Sequence, residues 1–184
     1  MLDRLLQWDK ETLLYLNNLG TPSFDGFWST VTHITTWFPL FFLFLLLFAL
    51  KFPWREALLR IGLLTLLIFT ITGLCNWVKI WVKRIRPCND ESVNSLMRML
   101  HTPSDYSFFS GHASSSFAVT VLVFLLLKHK IKWAGLFFIW PILFSLSRLY
   151  LGVHYPLDVM VGAIVGAFLA WLFFKSYIRL SHPA

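Results

Sequence analysis

GFWSTVTHITTWFPLFFLFLLLFAL, residues 26–50, contains no Asp, Glu, Lys or Arg. As a helix rising ~1.5 Å per residue it outreaches the ~30 Å hydrocarbon core of a bilayer. The rest of the chain agrees with that reading. Of 184 residues 57% are apolar and only 14% charged, with mean hydropathy +0.66, against roughly 25% charged in soluble domains. A soluble globular domain, a disordered chain, a collagen and a coiled coil are all excluded by this balance.

Upstream, segment 2–18 spaces Leu2, Leu5, Leu6, Leu13 and Leu16 as one helix face, with Asp3, Arg4, Gln7, Lys10 and Asn17 between them. This is the pattern of an amphipathic helix lying in the membrane interface, too charged to span. The same charges, with Asp9 and Glu11, argue against a cleaved signal peptide. Gly20-Thr21-Pro22-Ser23 then breaks the helix. Downstream, further crossings are predicted over 57–82, 112–127, 133–148 and 156–174. The predicted fold is an all-α integral membrane bundle of five transmembrane helices plus an N-terminal interfacial helix, one domain over 1–184. The last three crossings have short charge-free cores, so their polar ends sit at or snorkel toward the interface.

Segments 51–56, 128–132 and 149–155 are the short connections that antiparallel neighbours need. The loop 83–111 is long and polar, and loops of that kind are usually functional. Gly162, Gly166 and Ala170 put a small residue at every fourth position of the fifth crossing, which permits close helix approach in lipid; plain apolar filler is the alternative reading. Cys75 and Cys88 would stand about 20 Å apart along a continuing helix, too far for a disulfide. Most tryptophans, Trp28, Trp37, Trp54, Trp77, Trp81, Trp133, Trp140 and Trp171, read as interfacial anchors. His33 reads as a hydrogen-bonded structural histidine, with lining of a site on its side of the membrane as the alternative, and His101, His129 and His182 as loop or interface residues.

Five crossings sort the connections onto two faces. One receives 1–25, the 83–111 loop and the 149–155 turn; the other receives 51–56, 128–132 and the C-terminus. The second face carries Lys51, Arg55, Arg60, Lys128, Lys130, Lys132, Lys175 and Arg179 against Glu56 alone. The first carries as many basic residues, but three of them, Lys79, Arg86 and Arg148, belong to the constellation described next. Discounting those, the second face is predicted to be cytoplasmic. The net charge of +7 is thus read as orientation, with no nucleic-acid partner.

Polar residues converge on the first face. Lys79 and Arg86-Pro87 end the second crossing, Ser110-Gly111-His112 opens the third, Ser147-Arg148 closes the fourth, and His154 with Asp158 opens the fifth. Two guanidiniums and an ammonium suit a tetrahedral phosphate. Ser110-Gly111 before a helix offers amides and the positive end of a dipole. Of two histidines beside a phosphate, one can attack phosphorus while the other protonates the departing oxygen. Asp158, four residues after His154, can fix the tautomer that leaves the far ring nitrogen free.

Lys79-Ile-Trp-Val-Lys-Arg-Ile-Arg86-Pro87, Ser110-Gly111-His112 and Ser147-Arg148-Leu-Tyr-Leu-Gly-Val-His154-Tyr-Pro-Leu-Asp158 resemble the three signatures of the type-2 phosphatidic acid phosphatase superfamily, in order and spacing, across 79–158. Phe109 stands where that family usually has proline. The resemblance implies a metal-independent, cofactor-free phosphatase. It makes His154 the nucleophile that forms a phosphohistidine, Asp158 its orienting partner and His112 the general acid. Lys79, Arg86, Ser110, Gly111 and Arg148 become the phosphate cradle. Three cations would also repel a divalent ion.

The expected activity is hydrolysis of a membrane lipid phosphate at the outer face of a bacterial inner membrane. The small size and lean loops resemble bacterial undecaprenyl-diphosphate phosphatases. Phosphatidylglycerophosphate, phosphatidic acid and lipid A phosphates are the alternatives. An anion or lipid-phosphate transporter without hydrolysis, and phosphoryl transfer to an acceptor other than water, are the rival activities. No obligate protein partner is expected.

Overall fold

In a computed structural model, residues 1–181 are described, and His182 lies outside them. Seven α-helices follow in order: α1 (Leu2–Asn18), α2 (Pro22–Val31), α3 (Phe38–Lys51), α4 (Trp54–Val82), α5 (Gly111–Leu127), α6 (Ile139–Tyr150) and α7 (Pro156–Ser181). Among the described residues three stretches are long and apolar enough to cross a membrane: Ile34–Lys51, Trp54–Asn89 and Pro156–Ser181. Gly111–Leu127 and Ala134–Tyr150 are apolar but shorter.

The run that decided the class, 26–50, is not one helix. It divides at Thr32–His33, where His33 is extended (φ −79°, ψ 129°) and a 3-10 turn, Ile34–Trp37, leads into α3. Pro39 supplies the reason. Deep in a continuous helix it would lack a donor and crowd the Thr35 carbonyl, whereas in the first turn of α3 its missing N–H costs nothing. The carbonyls freed at the end of α2 are met by side chains: Thr36 Oγ1 donates to Thr30 O at 2.7 Å and Trp37 Nε1 to Val31 O at 2.9 Å.

The α5 helix is the buried axis, packed against α4, α6 and α7. Its partnership with α7 rests on absent side chains. A Cβ on Gly162 would lie 2.7 Å from the Ser110 carbonyl oxygen, and one on Gly166 2.9 Å from the Ser114 carbonyl carbon. The fourfold spacing of small residues thus brings two backbones into contact. Away from the site, Phe44, Leu67, Ile71, Leu122, Leu127 and Trp140 fill one apolar core. Trp140 is therefore a core residue, with its ring 5.0 Å from Phe41 and 6.0 Å from Phe144, whereas Trp54, Trp77, Trp81, Trp133 and Trp171 are exposed as anchors would be.

The amphipathic segment forms α1 as expected, but its docking stripe is polar. Asp9, Leu13 and Asn17 are buried, while Leu2, Leu5, Leu6 and Leu16 face outward. Asn17 Nδ2 donates to the carbonyls of Arg98 (3.0 Å) and Tyr150 (2.8 Å), and its Oδ1 accepts from the Arg98 amide at 2.7 Å. Segment 83–110 is likewise pinned. Arg98 Nη2 donates to both carboxylate oxygens of Asp25 on α2, at 2.7 and 2.8 Å, and Lys10 of α1 reaches Asp90 (3.1 Å) and Ser92 (2.7 Å). Cys75 and Cys88 are both buried and free.

Candidate active site

The turn joining α6 to α7 carries His154, and Asp158 follows in the first turn of α7. Gly152 adopts φ +71°, and a Cβ there would sit 3.1 Å from the Arg98 carbonyl, so glycine is required to turn the chain into Val153 and His154. His154 is buried, and Arg86 Nη1 lies 2.9 Å from its Nε2. Guanidinium can only donate, so Nε2 must be the acceptor and the proton sits on Nδ1. Nδ1 in turn faces Asp158 Oδ2 and Ser107 Oγ, each at 3.4 Å. This is the tautomer that the sequence spacing called for. Burial, despite the pull of Asp158, pushes the imidazole down to about 3 and keeps it neutral.

Asp158 is fully enclosed and saturated. Its Oδ2 accepts the Tyr155 amide at 2.9 Å and the Ser107 hydroxyl, and its Oδ1 accepts Arg84 Nη1 at 2.7 Å. Arg84 Nη2 continues to Asp9 on α1 at 2.5 Å. Neither Arg84, Asp9 nor Ser107 stands out in the sequence. Arg84 reads as part of a juxtamembrane basic cluster, Asp9 as a charge on a surface helix, and Ser107 carries no pattern.

Lys79 and Arg86 meet on one oxyanion. Asp105 accepts Lys79 Nζ at 2.6 Å, Arg86 Nη2 at 2.8 Å and Arg86 Nε at 3.2 Å. Burial works to raise the Asp105 carboxyl, but the two cations outweigh it and hold it below the ordinary carboxylate range. Arg148 is differently placed. It is buried, Nη1 donates to Thr32 Oγ1 at 2.6 Å, and Nε has no acceptor. Among the described residues no carboxylate pairs with it, so its charge is left for an anion from outside.

Ser110 caps α5, its Oγ accepting the Ala113 amide at 3.4 Å, but its own amide donates to the Asp158 carbonyl at 2.9 Å. The sequence reading that offers the Ser110 amide to a phosphate is corrected by that bond. Gly111 and His112 supply the first-turn amides without intrahelical acceptors. Gly111 and His112 line a cleft of about 460 Å³ with Lys79, Ile34, Thr72 and Phe144. A second cavity, about 230 Å³, also reaches His112 and is walled by Arg148, His33, His101 and Ser29. His33, read from the sequence as structural with site lining as the alternative, is exposed and borders both spaces. His112 itself packs against Phe144 in a tilted arrangement, ring centroids 4.6 Å apart and planes at 32°.

All eight residues singled out in the sequence therefore gather at one end of the bundle, around the α6–α7 turn and the start of α5. Residues 57–181 match the family described as PAP2 superfamily. A lipid A 4′-phosphatase of Bacteroides thetaiotaomicron is 32% identical over 95% of this chain and 79% of its own length. An undecaprenyl-diphosphatase of Sulfolobus acidocaldarius is 38% identical over 61% of this chain and 53% of its own. The fold is shared with the crystal structure of a transmembrane PAP2-type phosphatidylglycerolphosphate phosphatase from Bacillus subtilis, at TM-score 0.76 and 22% identity over 98% of this chain and 89% of that one.

Proposed function

The chain belongs to the PAP2 superfamily, a membrane lipid phosphatase family, and on that premise we propose that it removes a phosphate from a membrane lipid through a phosphohistidine on His154. One observation carries this reading: Arg86 touches His154 Nε2 at 2.9 Å while it and Lys79 hold an oxyanion. Substrate phosphate takes the place of the Asp105 carboxylate between those two cations, and Arg148 and the Gly111 and His112 amides complete the cradle. Arg86 then gives up Nε2, whose lone pair attacks phosphorus in line. The N–P bond forms, the P–O bond to the lipid breaks, and the leaving oxygen takes its proton from His112. Water next attacks the phosphohistidine with His112 as base, releasing phosphate and restoring His154. No metal is required, because three cations already neutralise the phosphoryl oxygens.

The substrate we favour is a lipid A-type phosphomonoester, ahead of the undecaprenyl diphosphate suggested by chain size alone. The lipid A phosphatase relative matches along 95% of the chain, the helices α1 and α2 that pin the active-site loop included, while the undecaprenyl-diphosphatase matches 61%. A small cavity lined by Arg148, two histidines and a serine beside the leaving-group acid also suits a polar sugar better than a prenyl chain. The bundle crosses the membrane five times, the Ile34–Lys51 run, α4, α5, α6 and α7 each once, with the site at the outer face of a bacterial inner membrane. The clustering of Lys51, Arg55, Lys128, Lys130, Lys132, Lys175 and Arg179 at the opposite end supports that orientation.

Purified protein incubated with lipid A, undecaprenyl diphosphate, phosphatidic acid and phosphatidylglycerophosphate is expected to give its highest kcat/KM on lipid A, unchanged by chelators. His154→Ala should fold and lose at least about 10⁴-fold in turnover. Phosphate release by that variant would refute the nucleophile.

A further inference from the structure

We propose that Asp9, on the N-terminal helix α1, is a positioning residue for the hydrolysis, acting on His154 through Arg84 and Asp158. The inference rests on His154 being the nucleophile, as above.

A carboxylate on a helix at the membrane interface belongs in water, yet Asp9 has 0% exposure. Burying it is costly unless both oxygens are engaged, and both are. Oδ2 accepts Arg84 Nη2 at 2.5 Å and Oδ1 accepts the Leu157 amide at 2.8 Å. Each contact leads to Asp158. The Arg84 fork spans the two carboxylates, its Nη1 reaching Asp158 Oδ1 at 2.7 Å. Leu157 is the residue before Asp158, in the first turn of α7, where amides lack helical acceptors.

Arg84 lies over the Tyr155 ring, its Cζ 4.0 Å from the centroid, so the ring and the two acids together confine the fork. Removing the Asp9 charge leaves Arg84 with Asp158 alone. The guanidinium then draws Oδ1 toward itself and rotates Oδ2 away from the His154 Nδ1–H, a contact already long at 3.4 Å. The imidazole loses its orientation and its support for the charge it acquires on attack. Phosphate is held elsewhere, by Lys79, Arg86 and Arg148, so the loss falls on kcat and spares KM.

A role confined to anchoring α1 predicts otherwise, and α1 has separate anchors. Asn17 bonds Arg98 and Tyr150, and Lys10 pairs with Asp90. The experiment compares full-length Asp9→Asn and Asn17→Ala in detergent, reading phosphate release and thermal unfolding. Asp9→Asn keeps an acceptor for the Leu157 amide. It should lower kcat about tenfold and leave KM within twofold, whereas Asn17→Ala should lower the unfolding temperature and leave kcat within twofold. Arg84→Lys, whose single ammonium cannot bridge both acids, should reproduce the kcat loss, and adding Asp9→Asn to it should cost nothing further. Unchanged kcat in Asp9→Asn, a loss in KM alone, or additive losses in the double variant overturns the proposal. If Asp9→Asn does not fold, Arg84→Lys decides alone: kcat reduced at constant KM supports the relay, and unchanged kcat ends it. Phosphate release by His154→Ala would instead remove the reading beneath.

Discussion

The α6–α7 turn that carries His154 is gripped by two seams built on opposite principles. Between α5 and α7, glycines at 162 and 166 let backbone meet backbone, and adhesion comes from packing. Between α1, the 83–110 segment and the start of α7, the grip is polar: Asp9, Asn17, Arg84, Asp90 and Arg98 form buried or half-buried bonds over long sequence separations. A packing seam fails by overfilling and is indifferent to pH. A polar seam fails when one partner is removed, because the other is stranded.

That contrast is broken most forcefully at Gly166. Gly166→Leu would drive a side chain into the Ser114 backbone, and a destabilisation of about 3 kcal/mol is expected in thermal unfolding, at any pH. Asn17→Ala strands the Arg98 amide and two carbonyls and should cost about 2 kcal/mol with turnover preserved.

A smaller effect comes from proton activity alone. Burial works to raise the Asp90 carboxyl, but hydrogen bonds from Ser92, Tyr155 and Lys10 outweigh it and bring it down to about 2. A folded-state value below the ordinary 3.8 stabilises the protein above pH ~4 and is lost as pH falls toward 2. Asp90→Asn should therefore remove about 1 kcal/mol of acid sensitivity, after allowance for partial solvent screening. The smallest change lies outside both seams: with no carboxylate competing for Lys79 and Arg86, Asp105→Asn should lower the inhibition constant of inorganic phosphate about threefold.

The packing seam is partly readable from the chain: small residues at every fourth position permit close helix approach in lipid, though plain apolar filler reads the same way. The candidate site residues are readable too, because His112, His154, Asp158 and the neighbouring cations bring unusual chemistry to the ends of apolar runs. The polar seam is not. Asp9 and Asn17 sit where an amphipathic pattern assigns the solvent face, and only tertiary partners more than 70 residues away reverse that assignment. The break at Thr32–His33 is hidden for a related reason: it leaves hydropathy untouched, and Pro39 is its one local mark. Asp105 lies in a loop without periodicity, so nothing in the order of residues announces that it reaches Lys79.

Contact between bare backbones at Gly162 and Gly166 has a mechanical corollary. Helices touching main chain to main chain have no side chains to re-rotamerise, so His112 on one and Asp158 on the other ride as a single stiff block, an anvil. Under the proposed function, the give that admits a lipid headgroup comes from the opposing jaw, the end of α4 bearing Lys79 and the stretch of loop bearing Asp105.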